Sequence, residues 1–186
     1  MDRNILSAAL VSVVALPLLI GNAGADEVTS LGTNATSDQL IKALSPPPGA
    51  APLKFRGIRL LTAKAAAEPE VRAPAVALDI KFGLNSAELT PEAKEVVKQL
   101  GTAMASEQLS TFHFQLEGHT DSTGRHDHNV VLSKERAEAV RSYLVANYGI
   151  KPDRLEAVGR GSDDLLDPAN PTSGVNRRVQ IVNLGG

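Results

Sequence analysis

The 186-residue chain contains no cysteine and no tryptophan, and aromatic residues make up only 3% of it. The absence of cysteine excludes disulfides, thiolate metal sites, a cysteine nucleophile and a lipid-modified N-terminal cysteine. The scarcity of aromatic rings argues against stacking platforms for nucleotide bases or sugars. The formal net charge is −2, so the chain has no broad basic field, and we exclude nucleic acid as a partner.

Residues 1–25 have the pattern of an export signal. Arg3 gives a short positive start, the apolar run Ile5–Ile20 follows, and Ala23-Gly24-Ala25 has small residues of the kind that export peptidases cut. As a helix the apolar run would span about 24 Å, which is short of the ~30 Å hydrocarbon core of a bilayer. We therefore expect a mature chain that starts at Asp26 and has no membrane span; an uncleaved anchor is the alternative.

Residues 26–75 have the composition of a flexible tether. They include Pro46-Pro47-Pro48 and many small residues, and such a composition buries too little apolar surface to offset the entropy of an ordered chain. Within the tether, the pattern of residues 38–45 indicates a short helix. Residues 38–60 are a candidate docking segment for a protein partner, and a weakly structured linker is the competing interpretation.

A folded domain is predicted for residues 76–186, where apolar residues begin to recur with regular periods. The predicted strands are residues 76–82, 112–117, 155–158 and 178–184, and the predicted helices begin after Thr90 and after Ser133. Thr90 is a typical N-cap and is followed by a proline at the first helical position. The resulting order, β-α-β-α-β-β, predicts an α+β fold in which helices pack on one face of a small mixed sheet.

The densest group of polar residues lies between the second predicted strand and the second predicted helix. Gly118-His119-Thr120-Asp121 ends the strand, and Arg136 falls in the first turn of a helix capped by Ser133. An arginine there would face the same space as the free N–H groups of the helix, and together they would bind a carboxylate. Because Asp121 supplies a negative group nearby, we expect a site for a zwitterionic amino-acid end.

These residues, with Asn129, Leu132–Ala137 and Asn176-Arg177-Arg178-Val179, resemble the C-terminal domain family of outer membrane protein A. The resemblance covers Val76 to Leu184, and several separated motifs in register make it specific. It implies non-covalent binding of peptidoglycan at the free end of its meso-diaminopimelate residue, by a protein that is not an enzyme. It also implies a periplasmic, wall-associated protein of a Gram-negative bacterium, with a location at the outer membrane left open.

The resemblance also implies roles for individual residues. Asp121 would bind the ammonium group of diaminopimelate, and Arg136 would bind its carboxylate. The residues that would line or support the pocket are Thr120, Asn129 and Arg177, with Phe82 and Asn85 at its periphery. The loop Arg125–His128 departs from the family pattern, and its role is not implied by the resemblance.

Several alternatives remain open beside this interpretation. Asp121 and Arg136 are also compatible with a structural ion pair. His119, His126 and His128 suggest a zinc site, but one short loop rarely supplies three or four convergent ligands, and we predict no metal and no cofactor. No serine has the base and orienting group that a nucleophile needs. The alternative function is an adaptor in an envelope assembly whose tether docks an envelope protein.

Overall fold

The computed structural model describes residues 28–47, 73–83 and 85–186. Its elements in chain order are β1 (Thr29–Leu31), α1 (Ser37–Leu44), β2 (Ala75–Leu78), α2 (Pro91–Ala105), β3 (His113–His119), α3 (His126–Tyr148), β4 (Leu155–Gly161) and β5 (Val179–Gly185). Single 3-10 turns at Pro152–Arg154 and Gly174–Asn176 precede β4 and β5. The predicted export signal, 1–25, and residues 48–72 of the predicted tether lie outside the described residues.

The five strands form one mixed sheet in the order β1-β2-β5-β3-β4. The pairs β1–β2 and β3–β4 are parallel, whereas β5 runs antiparallel to both β2 and β3. Alternate strand residues such as Phe114, Leu116 and Ile181 are fully buried with the apolar faces of the helices in a single core. From β2 onward the predicted order β-α-β-α-β-β and the α+β fold are confirmed.

Helix α2 follows the sequence prediction closely. The Thr90 hydroxyl accepts a hydrogen bond from the Ala93 N–H at 3.2 Å, and Pro91 occupies the first turn. Its buried face includes Val96 and Leu100, which recur at helical spacing. In the part of the chain that the structure describes, neither this helix nor any other is long and apolar enough to cross a bilayer.

Residues 28–47 belong to the folded domain, so the tether interpretation is wrong for this segment. Strand β1 extends the sheet beyond β2, and helix α1 packs on α2 with Leu40 and Leu44 fully buried. The Asn183 side chain on β5 donates a buried hydrogen bond of 2.8 Å to the Leu44 carbonyl. Two buried leucines on one face of a short helix offset the cost of ordering it, which the average composition of a proline-rich stretch conceals.

Helix α1 lies within one residue of the helix that the sequence indicated at 38–45, and it begins after Thr36. The side chains and N–H groups of Thr36 and Gln39 form a capping box, which satisfies two of the free N–H groups at the start of a helix. Since the apolar face of α1 is buried, this part of the candidate docking segment, 38–60, offers no such face to a partner.

Helix α3 begins at His126 and not after Ser133, which corrects the predicted start. Ser133 lies within the helix, where its hydroxyl donates to the Val130 carbonyl and accepts from the Gly161 N–H, both at 2.9 Å. The first two turns bury polar side chains, so they lack the apolar period that marks a helix in sequence. Arg136 therefore lies ten residues into α3, and the predicted carboxylate site at a helix N-terminus beside Arg136 is wrong.

The backbones of β3, β4 and α3 approach one another closely at the end of the sheet. A Cβ atom added at Gly118 would lie 2.0 Å from the Ser133 carbonyl oxygen, and one at Gly159 would lie 2.3 Å from the Val130 carbonyl oxygen. No side chain fits into such a gap, so glycine is required at both positions. This contact fixes the point at which the chain leaves β3 and enters the polar loop.

Candidate functional site

Asp121 lies two residues beyond the end of β3, and both of its carboxylate oxygens are bonded. One oxygen accepts from the Thr123 N–H at 2.9 Å, and the other accepts from Nη1 of Arg177 at 2.7 Å. The Asp121 side chain is 12% exposed, whereas that of Arg177 is 52% exposed. The ion pair of Asp121 is therefore with Arg177, and the structural pair with Arg136 that the sequence left open is not the one that forms.

The loop that carries Asp121 is held by buried polar groups. The Asn129 side chain donates to the carbonyls of Thr123 and Asp121, at 3.0 and 3.4 Å. The N–H of Thr120 donates to the Gly161 carbonyl at 2.8 Å, and Thr120 is buried. The side chain of Asn129 and the backbone of Thr120 therefore support the site from behind, since buried hydrogen bonds hold a loop in one conformation.

Arg136 is held by the loop that follows β2. Its Nε donates to the Ser86 carbonyl at 3.0 Å, Nη2 reaches the Gly83 carbonyl at 3.4 Å, and the guanidinium lies 5.0 Å from the centre of the Phe82 ring. Two carbonyls and an aromatic face orient the guanidinium without neutralising it. Arg136 thus has a fixed direction and no carboxylate partner among the residues that the structure describes.

Asn85, at the tip of the same loop, has a left-handed backbone with φ of 48°. Asparagine adopts this conformation more readily than most residues. Its side-chain oxygen lies 2.7 Å from Nε2 of His128 in the first turn of α3. Of the Arg125–His128 stretch, which departs from the family pattern, Arg125 precedes α3 and the other three residues form its first turn. His128 connects the loop that holds Arg136 to α3.

A pocket of about 640 Å³ opens beside these groups. Phe82, Arg136 and Arg177 all contribute to its lining, together with Ser30 and Gly32 from the β1 end of the sheet. Its charged lining residues are Lys81, Arg136, Arg177 and Arg178, against a single acid, Asp79. The surroundings therefore favour an anionic group. Asp121 is not itself a lining residue, but its carboxylate is bonded to Arg177, which is.

The charges of Asp121, Arg136 and Arg177 act on one another. Burial opposes ionisation of Asp121, yet the Arg177 guanidinium and the hydrogen bonds from Thr123 hold the pKa of its carboxyl below the usual value. Burial and the charge of Arg177 lower the pKa of Arg136, and Asp121 opposes them. Because an arginine stays protonated across the physiological range, these three side chains comprise two cations and one anion.

His119 is a pocket residue whose role the sequence did not indicate. It ends β3 with its side chain 1% exposed, and its Nε2 lies 4.0 Å from a Glu117 carboxylate oxygen. Burial, followed by the positive charges of Arg178 and Arg160, lowers the pKa of His119 to about 3. The imidazole is therefore neutral at pH 7. Alternation along β3 places residues 115, 117 and 119 on one face of the sheet, which is the signal that could have linked His119 to this face.

The histidines of the loop do not converge. His126 faces Asp163 at 3.3 Å and His128 faces Asn85, while His119 lies buried at the end of β3. Within residues 28–47, 73–83 and 85–186, no group of three histidine or acidic side chains has the arrangement of a metal site. The zinc alternative that the sequence raised therefore has no support from these residues.

The loop before β5 is organised by Asn176, whose place in the Asn176–Val179 motif did not indicate this role. Asn176 is fully buried; it accepts from the Asp167 N–H and donates to the Asn170 and Pro171 carbonyls, all within 2.9–3.1 Å. Its neighbours diverge as strand alternation predicts: Arg177 reaches Asp121, and Arg178 is buried against the Asp164 carbonyl. Of these two arginines, only Arg177 therefore has an exposed side chain at the mouth of the site.

Together these features define a small α+β domain with a charged pocket at one end of its sheet. Residues 81–178 match the model of the OmpA family. This match covers more than half of the chain, and the chain belongs to the OmpA family.

Relatives of known identity agree with this assignment. Outer membrane porin F of Pseudomonas aeruginosa is 37% identical over 107 residues, which is 56% of this chain and 30% of that protein. The peptidoglycan-binding protein ArfA of Mycobacterium tuberculosis is 34% identical over 105 residues, 55% of this chain and 31% of that protein. The match thus spans less than a third of either relative.

The fold is also found in solved structures. The periplasmic domain of Helicobacter pylori MotB superposes with a TM-score of 0.54 at 18% identity, over 65% of this chain and 88% of that one. At this level of identity the similarity concerns the fold alone.

Proposed function

We propose that this chain binds peptidoglycan non-covalently, by the free end of the meso-diaminopimelate residue in the stem peptide. The observation that carries the proposal is an oriented guanidinium without an acid partner among the described residues, Arg136, in a pocket where another lining arginine, Arg177, is paired with the buried carboxylate of Asp121. Membership of the OmpA family and the 34% identity with a peptidoglycan-binding protein support it.

Arg136 is suited to bind the carboxylate of the ligand. In its described hydrogen bonds, Nε and Nη2 donate to carbonyl oxygens. The guanidinium therefore keeps its positive charge, and its Nη1 can donate to an anion. A charge-assisted hydrogen bond of this kind contributes about 1.5–3 kcal/mol. The Phe82 ring and the Ser86 carbonyl fix the direction of the group, which lowers the entropy lost on binding.

Asp121 is suited to bind the ammonium group. Its pKa is held below the usual value, so the carboxylate is ionised throughout the neutral range. The buried hydrogen bonds of Asn129 and Thr123 keep it in place. An ammonium and a carboxylate attached to one carbon, as in the free end of diaminopimelate, match the opposite charges of Asp121 and Arg136.

The same proposal gives a location and a class. The chain would act in the periplasm, in contact with the cell wall and with the outer membrane as a candidate neighbour, after removal of residues 1–25. It would act as a binding protein and not as an enzyme, since its relatives are a porin and a binding protein by name. An envelope protein bound through the tether beyond α1 would make it an adaptor.

Three matched stem peptides test the site. The first carries meso-diaminopimelate, the second carries lysine, which keeps the ammonium without the carboxylate, and the third carries 2-aminopimelate, which keeps the carboxylate without the ammonium. Arg136→Gln should weaken the first and third peptides, and Asp121→Asn should weaken the first and second. Each loss is expected to be about 10- to 150-fold, measured by isothermal titration calorimetry.

Lys134→Gln is the matched control, because it removes an exposed positive charge from the same helix outside the pocket. Thermal unfolding of every variant shows whether the fold is retained. If folded Arg136→Gln binds the diaminopimelate peptide as tightly as the parent, the proposed site is wrong.

A further inference from the structure

Arg177 is paired with the carboxylate of Asp121, the group that the proposed function assigns to the ammonium of the ligand. Its Nη1 lies 2.7 Å from Oδ2 of Asp121, while the other carboxylate oxygen is engaged by the Thr123 N–H. An incoming ammonium would meet a guanidinium of the same charge at the same oxygen. Two cations at that position repel each other, so the ammonium can bind there only if the Arg177 guanidinium moves away.

Arg177 is held more weakly than the other arginines nearby. Its side chain is 52% exposed, and its guanidinium has a single hydrogen-bond partner among the described residues. Arg178, by contrast, is buried and bonds to three groups, and Arg160 makes two bonds to Glu117. Because the guanidinium of this pair is half exposed, solvent screens it and its pairing contributes little. A ligand cation that takes the same place keeps the Asp121 carboxylate paired, so it can replace Arg177 at small cost.

Resting on the proposed function, we propose that Arg177 is a latch on the ammonium site: it pairs with Asp121 in the free protein and is displaced by the ammonium of the ligand. The released guanidinium remains beside the pocket that it and Arg136 both line, where the carboxylate of the ligand can attract it. The latch lowers the affinity for ligands that carry an ammonium alone. Such a ligand displaces Arg177 from Asp121 but has no carboxylate with which the released guanidinium can pair. Arg177 is therefore a specificity-determining residue for the paired charges.

The electrostatics of the free protein agree with such an exchange. The charge of Arg177 acts unfavourably on Arg136 and lowers its pKa, so the two guanidinium groups repel each other across the site. A ligand carboxylate between them would remove this repulsion. Only a ligand with both an ammonium and a carboxylate would therefore displace Arg177 from Asp121 and also give its guanidinium a new anionic partner.

Gly174 offers a way to disturb the latch without altering any charge. A Cβ atom at this position would lie 3.0 Å from Nη2 of Arg177. Gly174→Ala should therefore press the guanidinium away from Asp121, while Arg177→Gln removes the competing cation altogether. Thr172→Ala is the matched control, because it alters an exposed residue of the same loop that does not line the pocket.

The competing explanation is a fixed ion pair in which Arg177 orients Asp121. The two explanations predict opposite signs for the lysine stem peptide, which carries the ammonium without the carboxylate. A latch predicts tighter binding after Arg177→Gln, because a competitor has been removed. A fixed pair predicts weaker binding, because Asp121 would lose the group that orients it.

The experiment measures the affinities of the lysine and 2-aminopimelate peptides for the full mature chain and its variants. Arg177→Gln should tighten the lysine peptide about 2- to 10-fold and should not tighten the 2-aminopimelate peptide. Gly174→Ala should tighten the lysine peptide in the same direction by a smaller factor, and Thr172→Ala should change neither.

Unchanged or weaker lysine-peptide binding in Arg177→Gln overturns the latch. The fate of the proposed function is read separately, from the diaminopimelate peptide and Asp121→Asn. If that peptide binds and Asp121→Asn weakens it, only the latch has failed. If no stem peptide binds the parent, or Asp121→Asn has no effect, the proposed function fails and the latch with it. Should Arg177→Gln not fold, the sign of the Gly174→Ala effect decides.

Discussion

The two ends of this sheet are held by different kinds of contact. At the β1–α1 end, residues 28–47 are attached by buried leucines of α1 and by the pairing of β1 with β2. At the site end, α3 lies directly on the backbones of β3 and β4, and Asn129 and Ser133 bond buried loop and strand groups. Apolar contacts tolerate a change of shape, whereas a buried polar network fails when one partner is lost.

The site end therefore combines a rigid interior with a loosely held surface. Asn129 and Ser133 are buried, while Arg177 is half exposed and has one partner. The rigid groups fix the position of Asp121, and the exposed cation is left to respond to a ligand. The β1–α1 end has no such division: the buried leucines of α1 and the buried hydrogen bond from Asn183 to the Leu44 carbonyl hold the segment without presenting charges to the pocket.

The largest effect that would sharpen this contrast is expected from glycine. Gly118→Ala should lower the free energy of unfolding by about 3–5 kcal/mol, because its Cβ atom would meet the Ser133 carbonyl at 2.0 Å and force α3 away from the sheet. Gly32→Ala at the other end is the control, since an added Cβ has nothing within 4 Å. Urea unfolding measures both. Equal small losses would contradict the close packing of α3 on β3.

A somewhat smaller effect is expected at the apolar end. Leu40→Ala should cost about 2–4 kcal/mol, because it leaves a cavity in a fully buried position, whereas Leu40→Met should cost less than about 1.5 kcal/mol. The affinity of the folded variant for stem peptide should not change, since α1 does not line the pocket. A Leu40→Ala loss below about 0.5 kcal/mol, the level of a surface substitution, would show that α1 is not part of the cooperative fold.

The same difference explains how much could be predicted from the sequence. Helix α2 and the strands from β2 onward were predicted because their buried residues are apolar and recur with a regular period; the short β1 was not. The start of α3 was not, because Asn129 and Ser133 are buried on its inner face and interrupt that period. Ser133 has the residue type of an N-cap, and only the approach of Gly161 reveals its actual role.

The candidate site was predictable in composition but not in pairing. The resemblance grouped Asp121, Arg136 and Arg177; in the structure Arg136 and Arg177 line one pocket, and Asp121 forms an ion pair with Arg177. Asp121 and Arg177 are 56 residues apart in the chain. Which arginine pairs with Asp121 therefore depends on how the fold directs the side chains. No period or spacing encodes such a contact, so the ion pair with Arg177 required coordinates.

The smallest expected effect depends on pH and again separates the two ends. The pKa of His119 is about 3 in the folded protein, against 6.5 for an ordinary histidine. Between pH 6.5 and pH 3 the unfolded chain therefore binds a proton at His119 that the folded chain does not bind. Stability falls as the pH is lowered through this window, and His119 contributes no pH dependence above it.

His119→Leu should remove this contribution. Between pH 7 and pH 4 the variant should lose about 1–3 kcal/mol less of its stability than the parent does. Leu40→Ala, by comparison, should lower stability by the same amount at every pH, because it changes apolar packing and no ionisable group. Thermal unfolding of the three proteins over this pH range measures both expectations. If His119→Leu loses as much stability as the parent on acidification, the site end carries no buried neutral histidine, and the two ends of the sheet do not differ in their response to acid through this residue.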